Sequence, residues 1–257
     1  METGSFNPKR MCRAINTVFG RTERTVLSKK TALEFAKLFK EKVEKVRCAT
    51  ANAAPPHFQE TTGEWLNVFE HVTEEEVVKP IASEPNKQSS LDPLPAKYLK
   101  KVSGDVACLL AHIFNRSFEN GYLPRMFKNA VITQLLKKAG LDVDDPGNFR
   151  PISNVSLTST ILERLVWSRL DVHLNRIGTI PSAQSAYSQN HSTETALAKV
   201  SFDIIMAADR GDVSLMARLD LSAAFDTVDH GILLQRLYTS HHINRLALDW
   251  FRSYLTG

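Results

Sequence analysis

The sequence predicts an α+β fold on three observations. Apolar residues recur at helical spacing in several separate stretches. Two β-rich runs, residues 130–136 and 149–153, flank a loop containing Asp144-Asp145-Pro146-Gly147, as in a loose hairpin. A third run, Leu215 to Asp220, alternates in the manner of a strand and delivers a carboxylate at its end.

Taken in order, residues 1–28 mix basic and small polar residues without a period and read as an arm. From Thr31, residues Phe35, Leu38, Phe39, Val43 and Val46 form an amphipathic stripe to about Arg47, which requires a partner surface. Residues 49–64 contain Pro55-Pro56 and no period, as a linker does. Thr73 with Glu76 is a capping-box pair opening a short helix through Pro80. Ser89 to Pro95 is turn-rich, and Ser103 or Asp105 is positioned to cap a helix that stops at Gly121. Ser156 opens a long helix that stops near Gly178, and Ser192 caps another that runs to Asp209 before Gly211. Asp229 caps the next helix, and Ile243 to Tyr254 carries a final apolar stripe.

Composition narrows the functional classes. With 257 residues, 43% of them hydrophobic, the chain can build a sizeable core. Cys12, Cys48 and Cys108 form no paired motif, which favours reduced thiols and an intracellular setting, cytoplasmic or nuclear. No apolar run approaches the roughly 20 residues that span a bilayer. The net charge of +4 is uneven: residues 1–50 carry 12 Lys and Arg against 5 Asp and Glu. Such a segment suits phosphate contacts on a nucleic acid, or equally a solvated helix face.

Chemistry concentrates in Leu215 to His230. Asp220 at a strand end is followed by the small residues Ser222, Ala223 and Ala224, which let a ligand approach the backbone amides, and then by Phe225. This order suits a Mg²⁺-bound triphosphate. It also suits an ordinary strand running into a helix cap. In the hairpin, Lys137 and Arg150 could clamp a triphosphate between a point charge and a planar fork, or be plain surface cations. Asp144-Asp145 beside Pro-Gly read as turn residues.

Seven stretches in order, from about Val72 to Gly257, resemble the reverse transcriptase of LINE-type, non-LTR retrotransposons, especially the jockey and chicken-repeat groups. They are SSLDPLPAKYLKK, VITQLLKK, NFRPISN, STILERLVWSRL, QSAYSQNHSTETAL, LDLSAAFDTVDH and WFRSYLTG. The resemblance implies a right-hand polymerase fold, here the fingers and a partial palm (72–257), preceded by a basic, mainly helical segment with a linker (1–71). It implies RNA-directed DNA synthesis by two-metal nucleotidyl transfer, with an RNA template, a DNA primer, dNTP and Mg²⁺ as partners, and no membrane.

By the same resemblance, Asp220 is the first catalytic aspartate and a ligand of both Mg²⁺ ions, assisted by the Leu221 carbonyl. Lys137, Arg150 and the amides of Ala223 and Ala224 hold the triphosphate, while Phe225 crowds the ribose 2′-hydroxyl. Gln184 and Tyr187 lie near the template; Ser188 stands there where a basic residue is usual. The sequence contains no aromatic-x-Asp-Asp run to complete the metal site. The expectation is therefore a polymerase fragment that is inactive alone, the alternative being a non-catalytic nucleic-acid-binding or polymerase-interacting piece.

Overall fold

The computed structural model describes residues 30–86, 89–221 and 224–256. It is a mixed structure of helices and one small sheet. Two units are distinguishable: residues 1–42 with 133–152, and residues 43–132 with 153–257. They are described separately.

The smaller unit joins the outer part of a hairpin to the start of a helix. Strands β1 (Ala130–Leu136) and β2 (Phe149–Val155) pair as a two-stranded sheet. At the base of the loop, the Lys137 amide donates to the Asn148 carbonyl at 2.9 Å. Asp145 is a turn residue, as its place beside Pro146-Gly147 suggests: its Oδ1 accepts from the Gly147 amide at 2.8 Å. Helix α1 (Ala32–Thr50) supplies Phe35, which is buried, as is Phe149 of β2. Their rings meet edge to face with centroids 5.2 Å apart. Phe149 is thus a partner for the apolar stripe of α1, and the T-shaped contact adds to simple area burial.

The larger unit is built on helices that the capping residues delimit. Helix α2 (Glu74–Ser83) begins with the Thr73/Glu76 capping box and passes through Pro80. Arg169 fastens its start: the nearly buried guanidinium donates to the Glu70 and His71 carbonyls at 2.7 and 2.9 Å and pairs with Glu76 at 3.0 Å. Partial burial opposes ionisation of Glu76, but the Thr73 amide and Arg169 outweigh it and lower its pKa. A single helical turn, α3 (Ala96–Leu99), leads to α4 (Ser103–Glu119). Val102 is the cap residue of α4 and makes no side-chain bond there, so neither Ser103 nor Asp105 caps it. The helix stops where expected, at Gly121. Its φ is +57°, and a Cβ would stand 2.9 Å from the Leu246 carbonyl oxygen, so only glycine fits.

Helix α5 (Leu157–Arg176) is capped by Ser156, whose hydroxyl accepts from the Ser159 amide. A second acceptor comes from the turn-rich loop, where Asp92 Oδ1 takes the Leu157 amide at 2.7 Å. These two contacts satisfy orphan donors at the helix N-terminus. Helices α6 (Thr193–Asp209), α7 (His230–Thr239) and α8 (Arg245–Leu255) follow, each with the cap residue expected or an asparagine.

The core of this unit gathers Val77 and Ile81 of α2, Phe114 and Phe118 of α4, Ile161 and Leu162 of α5, and Trp250 of α8. Phe69 also enters it, lying 5.2 Å from Phe118 and 5.8 Å from Trp250 between ring centroids. Each such buried side chain contributes about 1.5–3 kcal/mol of transfer free energy. Leu66 pairs with Ile243 in an isolated parallel bridge, tying the end of the linker to the α7–α8 turn.

One expected element does not form. Residues 212–221 are neither strand nor helix and are exposed, with Leu215 97% and Leu219 91% accessible. A strand needs a ladder partner for its amides and carbonyls, and no described segment pairs with this one. The alternation of Leu215 to Asp220 is compatible with a strand without being enough to make one.

Candidate functional site

Lys137 and Arg150 share a hairpin face. The Lys137–Asn148 pairing sets the register, so Leu135 lies across from Arg150 and Lys137 is its diagonal neighbour, with Cα atoms about 7–8 Å apart. Alternation turns Phe149 to the opposite face, where Phe35 buries it. Both cations are exposed. The Lys137 ammonium donates to the Gly147 carbonyl at 2.6 Å, holding it over the loop mouth. Two cations on one open face, backed by an aromatic anchor, can receive an anionic ligand.

In the larger unit, Asp220 and Leu221 are exposed at the end of the irregular segment. Ser222 and Ala223 lie outside the described residues. Ala224 and Phe225 are exposed in a turn covering residues 224–227. The Phe225 ring meets Tyr187 edge to face, with centroids 6.3 Å apart and planes at 85°. The structure therefore brings together two of the residues singled out in the sequence. The loop carrying Tyr187 is fixed by its own bonds: Gln184 Nε2 donates to the Ala186 carbonyl at 2.9 Å, and the Ser188 hydroxyl to the Gln184 carbonyl at 2.8 Å. Tyr187 and Asn190 each have φ of +61°, a left-handed conformation that costs a tyrosine more than an asparagine.

The donor set does not fit Mg²⁺ as it stands. Among the described residues no group of three His, Cys, Asp or Glu side chains is placed to hold a metal. Asp220 supplies one carboxylate, whereas Mg²⁺ asks for near-octahedral oxygen ligation. Asp144 and Asp145 belong to the loop of the hairpin, where Asp145 Oδ1 accepts from the Gly147 amide.

Two features of the site region escape the linear pattern. The Tyr187–Phe225 contact joins residues 38 positions apart, and no local period announces it. Trp167, Asp171 and Asn175 line one cavity with the 184–191 loop, and their spacing of four was a signal available in the sequence.

Residues 136–256 match the family model described as reverse transcriptase (RNA-dependent DNA polymerase). The chain is 30% identical over 164 residues to a probable RNA-directed DNA polymerase from transposon BS of Drosophila melanogaster, covering 63% of this chain and 18% of that protein. It is 29% identical over 215 residues to the RNA-directed DNA polymerase from mobile element jockey of the same species, covering 80% of this chain and 23% of that protein. A more distant match, 28% over 138 residues, is the Pol polyprotein from type-1 retrotransposable element R2 of Popillia japonica, covering 53% of this chain and 18% of that protein. The chain thus spans about a fifth of the length of the relatives it matches. Over residues 136–256, the chain is thus similar to the reverse transcriptases of LINE-type, non-LTR elements.

Proposed function

We propose that this chain is the fingers and first palm segment of an RNA-directed DNA polymerase, in which the Lys137–Arg150 face receives the triphosphate of an incoming dNTP. The placement of both cations on one hairpin face, opposite the Phe35–Phe149 anchor, is the observation that supports this best. Arg150 offers a planar fork to phosphate oxygens and Lys137 a compact charge. Asp220 is the first palm carboxylate, with the Leu221 carbonyl beside it, and the amides of Ala223 and Ala224 serve the triphosphate. Phe225 is the sugar gate, and Gln184 and Tyr187 contact the RNA template on which a DNA primer is extended. Residues 72–257 constitute the polymerase portion, and residues 1–71 a leading segment whose Leu66 and Phe69 pack into the core. The setting is intracellular, cytoplasmic or nuclear; Cys48 and Cys108 are free thiols, and no described helix is long and apolar enough to cross a membrane.

Catalysis needs a second palm carboxylate pair, and the sequence holds no aromatic-x-Asp-Asp run. This chain alone is therefore a binding-competent, inactive portion of the enzyme. Equilibrium binding of dNTP to the chain and to Lys137→Ala and Arg150→Ala tests the assignment. Each variant is expected to bind roughly tenfold more weakly, as loss of a charge-assisted bond to phosphate requires. Unchanged affinity in both variants overturns it. Mg²⁺-dependent primer extension by the chain, abolished in Asp220→Ala, would overturn the claim of inactivity.

A further inference from the structure

Helix α5 buries Ile161, Leu162, Leu165 and Val166 against the core, yet it leaves Trp167 47% exposed. Trp167, Asp171 and Asn175 follow one another at intervals of four, so they stand one above another on a single helix face. That face lines a cavity of about 640 Å³, whose opposite wall is the loop carrying Gln184, Tyr187 and His191.

The chemistry of the lining is selective. No Lys or Arg lines the cavity, and the basic side chains that do are the imidazoles of His191 and His241. Asp171 is half-buried, and its carboxylate makes no hydrogen bond or ion pair among the described residues. The Asn175 amide nitrogen donates to the Asp171 carbonyl at 2.8 Å, which leaves its own carbonyl oxygen as an acceptor. An open indole face beside two acceptors calls for a flat, uncharged ligand with adjacent donors. Among nucleobases, guanine presents N1–H and N2–H side by side, the pair that a carboxylate accepts bidentately. Adenine, cytosine and uracil each offer an acceptor at one of those positions. The cavity is within the range of small-ligand sites, and base stacking on an aromatic ring is favourable for any base.

We propose that this cavity takes an unpaired guanine, stacked on Trp167 and read by Asp171. The inference rests on the reading of Gln184 and Tyr187 as template contacts, which makes a single-stranded stretch of RNA the source of the base. A free guanine nucleotide carries the same chemistry, and the test separates the two.

The whole chain is titrated with a labelled uridine oligonucleotide carrying one central guanine and with its adenine counterpart, and GMP and AMP are used as competitors. The guanine oligonucleotide is expected to bind on the order of 5- to 100-fold more tightly. Asp171→Asn brings that ratio near one and Asp171→Glu restores it, which a merely structural role would not do. Trp167→Ala weakens guanine RNA roughly 5- to 100-fold, and Trp167→Phe recovers most of the loss. Thermal melting of each variant checks that it folds. GMP that competes while AMP does not makes the base alone sufficient; no competition with the RNA preference intact assigns the site to the strand. RNA binding with equal affinity for both oligonucleotides overturns the guanine site and leaves the template reading standing. Asp171-dependent binding of GMP without RNA binding keeps the site and overturns the template reading.

Discussion

The indole N–H of Trp250 donates to the Ser117 hydroxyl across 2.9 Å, with both residues buried, and the same hydroxyl donates to the Tyr122 carbonyl at 2.6 Å. One small side chain thus satisfies a buried donor from α8 and a carbonyl beyond the end of α4. Ser117→Ala leaves the buried indole N–H without its acceptor and the Tyr122 carbonyl without its donor, which costs about 1–3 kcal/mol. Urea unfolding is expected to show a lower midpoint with an unchanged slope. Trp250→Phe in the Ser117→Ala background is expected to cost less than the sum of the single changes, because the orphaned donor is gone.

Arg169 binds the Glu70, His71 and Leu165 carbonyls and the Glu76 carboxylate through one planar group. Arg169→Lys keeps the charge but cannot reproduce that fork. The expected loss is on the order of 2 kcal/mol, read by chemical denaturation. Arg164→Lys is the comparison. That residue is 47% exposed and pairs with the buried Glu84 carboxylate at 2.6 Å; lysine keeps the charge that Glu84 needs, so the replacement is expected to cost less than Arg169→Lys.

These two arrangements mark where linear pattern ends. The capping residues Thr73, Ser156, Ser192 and Asp229 were legible because each acts on an amide within three positions. The pairing of Ser117 with Trp250 spans 133 positions, and nothing in either neighbourhood specifies it. The same division holds for the site. Lys137 and Arg150 were legible as a pair because a hairpin fixes their register. The Leu215 to Asp220 strand was not, since alternation states a preference and a ladder partner decides whether it is realised.

His241 is half-buried beside Thr179, with its Nδ1 3.0 Å from the threonine hydroxyl. Burial lowers its pKa from the ordinary 6.5, and Arg236, His173 and His242 add to the effect. A histidine whose folded pKa is depressed contributes stability that is present above the unfolded value and lost as pH falls below about 6.5. Glu76 acts in the same direction at lower pH, so total acid sensitivity is not diagnostic. The diagnostic quantity is the difference between the native chain and His241→Gln. The native chain is expected to lose more stability than the variant between pH 7.5 and pH 5.5, as measured by urea midpoints. Equal losses would remove His241 as the cause.

Phe35 and Phe149 offer a test that separates support from contact in the hairpin. Phe35 is buried on the face away from Lys137 and Arg150 and cannot touch a ligand held there. Phe35→Ala removes a packed ring at a cost of about 3 kcal/mol, and Phe149 then loses its edge-to-face partner. Hydrogen exchange is expected to rise at the paired amides of β1 and β2 while the α2, α4, α5 and α8 amides stay protected, because those helices belong to the other unit. Binding of dNTP is expected to weaken alongside, although both cations remain in the sequence. Phe35→Leu, which keeps an apolar side chain against Phe149, is expected to recover most of the protection and most of the affinity. If affinity falls in Phe35→Ala with exchange unchanged, the aromatic anchor does not position the cations, and another support for the hairpin has to be sought.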